Sequence, residues 1–520
     1  MKPSRVPILA FFAVAAIGMT TCENAMLTTV TAVVTEYQKP KATVNFESGS
    51  GLAEDTEIVI TFTGSIKPET LTLGGILGDA AAGAVWSAGT DAEGESIENA
   101  VLTLRPAETW PLGSDKDLIV TGADVQEFAL DPIEATYGVL DGVVYVHASL
   151  GSDFNPGTID QPKRSISAAV REAERVFDEA DVHVAGGLYQ VTSTTVVTKD
   201  ISLYGGFDPD DWSARDPAVH ETKWDNIRTS GSHATLSYQP GVDEVVLDGF
   251  TITAGNGNIA LNDATAAIFV SSASPVIRNN TIVTGIAARA NGILASSASF
   301  EVVGNTFKTL VLEAVAVCID AADSTVLIAD NMFTGNMVNE FYGLMLNNSV
   351  SVVERNLIDA DQPMQLAFGI NVFGGSAVIR NNVISAGYMF TEDVYGQYGV
   401  FLNGCAATLH NNTIDGGDGL SADGIMTTAI MLYRNVTSTI ENNVIFTSGG
   451  DLRTGVWQRD AASFPDEFNN NVMFGCPDGN YYHDPSVTGW VHNVSEPDGL
   501  EDFLGSNGVT AAGNVFLTGD

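Results

Sequence analysis

The chain has 520 residues, and 64 Asp and Glu against 23 Lys and Arg give it a formal net charge of −41. A surface of that sign excludes nucleic acid and bare anionic lipid as partners and gathers cations instead. An apolar content of 45% with only 17% charged residues excludes an acidic disordered chain and predicts an ordered core.

At the N-terminus, Lys2 and Arg5 precede an apolar run from Val6 to Met19 and then Thr20-Thr21-Cys22, the pattern of an export signal over residues 1–22. The run is too short to span a bilayer as a helix, and no other segment is long and apolar enough. The segment resembles the signal of bacterial lipoproteins, with Cys22 at the lipid-attachment position, Met19 in place of Leu and Thr21 in place of a smaller residue. That resemblance implies lipidation at Cys22, membrane contact only through this anchor, and a place at the outer membrane or cell surface. Ordinary cleavage and release is the alternative. Residues 23–41 read as a tether ending in Lys39-Pro40-Lys41.

Residues 42–138 carry short alternating runs at Thr43–Phe46, Ile58–Phe62, Val101–Leu104 and Leu118–Val120, broken by Gly, Asp and Pro at sandwich-like spacing. With Ser65-Ile66-Lys67-Pro68-Glu69-Thr70 and Leu104-Arg105-Pro106 they resemble the bacterial Ig-like domains used as envelope spacers. The resemblance implies a small β-sandwich without chemistry of its own.

The next motifs are Val143-Val144-Tyr145-Val146, Gly151-Ser152-Asp153, Asn155-Pro156-Gly157-Thr158 and Gln161-Pro162, then Leu203 to Phe207, Asp211-Trp212-Ser213 and Arg215-Asp216. Together they resemble the opening module of a family of secreted β-helix proteins known only as a domain of unknown function. The same module heads β-helix polysaccharide enzymes, so enzyme and non-enzyme both stay open. Within it, Ile166, Val170, Ala173 and Phe177 share one side of a helix predicted over 166–180. A stack of strands exposes pairing edges at its ends, and this helix is predicted to cover the first of them as an N-terminal cap over about 143–215.

From Leu247 onward one phrase repeats: two polar residues, usually Asn, followed by an apolar alternation, as in IRNNTI at 277–282, IRNNVI at 379–384 and IENNVI at 440–445. Its second Asn recurs at 280, 305, 331, 356, 382, 412, 443 and 471. A second run opens on a small residue in each unit, at Gly292, Gly343, Gly369, Gly399 and Ala429. Period-two runs of this length are strands, and a period near 25 residues with three of them gives coils stacked about 4.8 Å apart. Residues 139–520 are therefore predicted to form an all-β, single-stranded right-handed parallel β-helix, similar to the pectate-lyase-like superfamily, with a C-terminal cap over about 475–520. Asn suits a corner because it tolerates left-handed backbone and its amide can bond its own backbone or the stacked Asn. The aromatic stretch with Trp457, Arg459, Phe464, Phe468, Tyr481 and Tyr482 can be a glycan face or that cap, and the cap is the plainer reading. Cys318, Cys405 and Cys476 make no disulfide framework, and no spacing suggests zinc.

Chemistry is expected on two neighbouring long loops, 384–399 and 414–429, which stacking must bring together as a ledge. The first holds Tyr388, Glu392, Asp393, Tyr395 and Tyr398; the second holds Asp415, Asp418 and Asp423. Tyr388, Asp393, Tyr395, Tyr398, Asp415, Asp418 and Asp423 are the predicted glycan-binding set. Asp393, Asp415 and Asp418 are the predicted ligands of calcium, the one cofactor the pattern suggests. Asp and Gly also make turns with no further purpose. A lyase needs a base, and neither loop contains Lys, Arg or His. A hydrolase needs two carboxylates about 5 to 9.5 Å apart, which stacked Asp can supply, but the Asp pair and Gly-His-Gly of polygalacturonases are missing. The expectation is a non-enzymatic surface protein that binds polysaccharide or acts as an adhesin. A β-helix lyase or hydrolase and a purely structural stalk are the alternatives.

Overall fold

A computed structural model describes residues 39–517 apart from 91–93, 311, 390–395, 420–425, 461, 484–491 and 495–496. The chain divides into a first unit ending at Asp141 and a second beginning at Gly142.

In the first unit, strands Ala42–Val44, Ile58–Phe62, Ser96–Pro106 and Ala81–Thr90 form one sheet. Strands Gly51–Ala53, Ile133–Leu140, Gly113–Thr121 and Thr72–Gly74 form another. Alternation along the strands turns Ile58, Ile60, Phe62, Leu102, Leu104, Leu118 and Val120 into one shared core with Trp110 and Tyr137. The result is a two-sheet β-sandwich, antiparallel except where Gly51–Ala53 pairs parallel with Gly138–Leu140.

The second unit winds as a parallel β-helix in which each coil gives one strand to each of three sheets. Among the described residues these sheets hold 13, 12 and 12 strands. The first runs from Val143–Val146 to Thr510–Ala512, the second from Gly187–Val191 to Val515–Phe516, and the third from Thr195–Val197 to His492–Val494. Pairing is parallel until Gly479–His483 meets His492–Val494 antiparallel. Equivalent residues stack: Ile282, Phe307, Phe333, Ile358, Ile384, Ile414 and Ile445 lie in register and are buried. Each such side chain contributes about 1.5–3 kcal/mol of burial. This column also explains the recurring small residue. A Cβ at Gly343, Gly369 or Gly399 would lie 2.7 Å or closer to the Cγ2 of Ile358, Ile384 or Ile414.

The predicted helix runs over Ile166–Val176, and Ser165 Oγ accepts from the N–H of Ala168 at its start. Its buried face, Ile166, Ala169, Val170 and Ala173, covers the first strands of the first and third sheets. It stops short of residue 180 because Glu179–Ala185 is drawn into the first sheet between Val143–Val146 and Asp200–Phe207. At the other end, helix Pro497–Ser506 buries Leu500 and Leu504, and Phe503 meets Phe464 and Tyr481 at 5.9 and 6.2 Å. Cys318, Cys405 and Cys476 are free and buried, and burial pushes the thiols of Cys405 and Cys476 up to about 11. Among the described residues no helix is long and apolar enough to cross a membrane. Cys22 lies outside the described residues.

Candidate functional site

The Asn pairs make the corner between the first and second sheets, and the structure divides their two tasks between the two positions. The first member takes the left-handed backbone, with φ of 54° at Asn279, 58° at Asp330, 56° at Arg355 and 58° at Asn381. The second is buried and ties successive coils together. Asn356 Oδ1 accepts from the backbone N–H and the Nδ2 of Asn331 at 2.9 and 3.0 Å. Asn356 Nδ2 donates to the carbonyl of Ile328 and to Asn382 Oδ1 at 2.9 and 3.0 Å. The ladder continues to Asn471 and one rung further, to Asn514, 43 residues on.

On the outer side of this corner several charges are paired. Asp248 accepts from Arg215 and Arg278 at 2.6 and 2.7 Å. Burial raises its carboxyl, but the two guanidiniums outweigh that and hold it below its ordinary value. Arg355 bridges Asp330 and Glu354, Arg380 joins Glu354, and His410 Nδ1 lies 3.7 Å from Glu441 Oε2. His410 thus stands in the same row as Arg380 and Glu441. A shallow cavity of about 470 Å³ beside Arg215 and Asp248 is lined by polar groups and carries no aromatic ring.

Across the coil, the two long loops do stack: Tyr388–Met389 pairs in parallel with Asp418–Gly419. Asp393, Tyr395 and Asp423, with Glu392, lie outside the described residues. Tyr388 is 38% exposed at the rim. Asp418 is half-buried with Oδ1 against the Cα of Gly449, so close that a Cβ there would collide with it. Asp415 is half-buried on the outer row of the second sheet, beside Ser385, and is tied along the stack. Its Oδ1 accepts from the N–H of Gly417 and of Ser448 at 2.9 and 3.1 Å, and its Oδ2 accepts from Ser448 Oγ at 2.7 Å. Burial raises its carboxyl and these bonds oppose the rise. Asp415 is therefore a staple between coils. Among the described residues no group of three His, Cys, Asp or Glu is placed to share a metal ion.

Tyr398 is not on the rim either. It is 7% exposed and ends a stack with Tyr342 and Phe368, successive ring centroids 5.0 Å apart, on the outer face of the third sheet. Burial pushes its hydroxyl up to about 12, against a lowering from the nearby charge of Arg459. Phe401 closes this stack edge-on, 5.5 Å from Tyr398. Phe401, Met431, Trp457 and Tyr482 then occupy successive rungs in register. All but the buried Met431 are partly exposed. Arg459 lies over Tyr433 and Trp457 at 4.9 and 5.8 Å, and Arg434 lies over Tyr433 at 4.8 Å.

This band was not legible in the chain. Sequence reasoning grouped Trp457, Arg459 and Tyr482 with the C-terminal cap. Only Phe464, Phe468 and Tyr481 close the end of the stack around Phe503. The signal that finds the band is the register of the Gly-apolar strands, which places residues from different coils side by side.

Three sheets, one strand per coil and a buried amide ladder define a right-handed parallel β-helix. The family model described as right handed beta helix region matches residues 243–414. No curated protein matches the chain in sequence. Among solved structures, the A-module of the mannuronan C-5 epimerase AlgE6 of Azotobacter vinelandii is similar at 14% identity and a TM-score of 0.35, over 68% of this chain and 95% of its own. The catalytic domain of a GH87 α-1,3-glucanase in complex with nigerose is similar at 13% identity and 0.37, over 84% and 86%. The tailspike protein 3 of bacteriophage CBA120 is similar at 14% identity and 0.35, over 75% and 64%.

Proposed function

We propose that this is an exported cell-envelope protein whose β-helix binds polysaccharide without cleaving it, in the manner of an adhesin. One observation carries the reading: the aromatic band on the outer third sheet, beside the ledge. Aromatic faces bind the C–H faces of sugar rings, and here they line up along the coil axis as an extended chain requires. Against cleavage stands the ledge itself, where the carboxylate of Asp415 is committed to Ser448 and Gly417 and the Tyr398 hydroxyl is buried. Export rests on residues 1–22 and anchoring on Cys22.

A glycan array probed with the signal-free protein tests this, with Trp457→Ala as the control. Binding without release of reducing or unsaturated ends is expected, weakened in the variant. Chain cleavage would replace this reading with a lyase or hydrolase, and no binding would leave a structural stalk. Fatty-acid labelling that disappears in Cys22→Ala is expected; unlabelled wild type rejects the anchor.

A further inference from the structure

The cations of this chain are distributed unevenly. Arg215, Arg278, Arg289, Arg355 and Arg380 each meet a carboxylate within 2.8 Å. That is the expected state of a chain whose acids far outnumber its bases. Arg434 and Arg459 differ from these, and from Arg164, Arg171 and Arg228, which also lack an ion pair among the described residues, in sharing one aromatic ring. Both are exposed, and among the described residues neither is ion-paired; instead both guanidiniums lie over the ring of Tyr433. Two like charges each within 4.9 Å of one ring centroid repel, and an anion bound to either relieves that repulsion. A guanidinium fork also matches a carboxylate or sulfate with two parallel hydrogen bonds. Trp457 under Arg459 offers an apolar ring face alongside.

We propose that the glycan bound on this face is anionic, and that Arg434 and Arg459 hold its carboxylate or sulfate groups while Trp457 and Phe401 stack on its rings. The inference rests on the glycan-binding reading above and adds the ligand's charge to it. Phe401 and Trp457 are two rungs apart, about 10 Å, a span that takes two sugar rings. Tyr433 and Arg459 follow the same register one row further along the strand, since the Arg459 N–H donates to the carbonyl of Leu432. Charged groups therefore meet the chain's edge while aromatic rings meet its faces. The net charge of −41 does not prevent this, because at physiological salt screening limits distant charges to about 8 Å.

Calorimetry and affinity electrophoresis on the signal-free protein decide it. The probes are polygalacturonate, carboxyl-reduced polygalacturonate, dextran sulfate and dextran. The expected result is at least roughly tenfold tighter binding of an anionic polymer than of its neutral counterpart. Polygalacturonate alone identifies carboxylate as the group, dextran sulfate alone identifies sulfate. The double variant Arg434→Gln with Arg459→Gln is expected to lose that preference while keeping its thermal unfolding midpoint. Trp457→Ala is expected to weaken binding to charged and neutral polymers alike. Equal binding of charged and neutral forms, or a double variant that keeps the preference, overturns the anionic ligand and leaves glycan binding standing. No binding to any of the four overturns both.

Discussion

Two corners of the same coil follow opposite rules. Between the first and second sheets, each rung from Asn280 to Asn514 sets the same buried amide in the same bonds. Between the second and third, loops lengthen, and the outer row of the third sheet changes from Asp320, Met345 and Asn371 to Phe401, Met431, Trp457 and Tyr482. The contrast has a physical cause. Strand pairing together with the ladder fixes pitch and register, so residues inserted across the coil leave the strands in place. Uniformity marks what holds the molecule up, and irregularity marks where it has room to act.

The contrast breaks most visibly at a middle rung. Asn356→Ala removes the acceptor for the Asn331 N–H and the donor to Ile328, and is expected to cost about 3 kcal/mol in urea unfolding. A cost near zero would mean that strand pairing alone sets the corner. A smaller effect is expected from Asp248→Ala at the head of this corner, roughly 2 kcal/mol, because Arg215 and Arg278 lose their shared partner. Its pH dependence has a definite sign. The folded carboxyl lies below its ordinary value, so its contribution is complete above the unfolded value of about 3.9 and is lost as pH falls through the folded one. Wild type and variant should therefore converge in acid; a gap that widens there contradicts the pairing. Smallest is Asp415→Ala at the ledge, about 1 kcal/mol, with faster amide exchange at Gly417 and Ser448, whose N–H groups it accepts, and little change at Asn356. Equal acceleration at both corners would erase the distinction.

The repeat was plain in the chain because it is carried by residue types with a single physical use at each place: Asn where a buried amide must bond two coils, Gly where the neighbouring Ile leaves no room for a Cβ. The rung at Asn514 escaped notice because helix Pro497–Ser506 interrupts the period before it. Helix residues 177–180 were misread because alternation through Val182 and Val184 draws the chain into a strand, and pairing with two neighbours outweighs helical propensity there. At the ledge, adjacency of the long loops followed from coil counting, but orientation did not. That Asp415 is tied along the stack depends on Ser448 in the next coil, and that Tyr398 is covered depends on Phe368 in the previous one. The aromatic band needed the register of four coils at once, which no local window contains.

Because the Asn331 amide reaches only the coil before and the coil after, a turn of this rod is an exchangeable part. Excising Asn331 to Arg355 would set Asn356 directly beneath Asn305, leave no amide of the ladder orphaned, and shorten the axis by one step of about 4.8 Å. A molecule so made can be lengthened or trimmed in whole steps, its reach adjustable while its two sealed ends stay as they are.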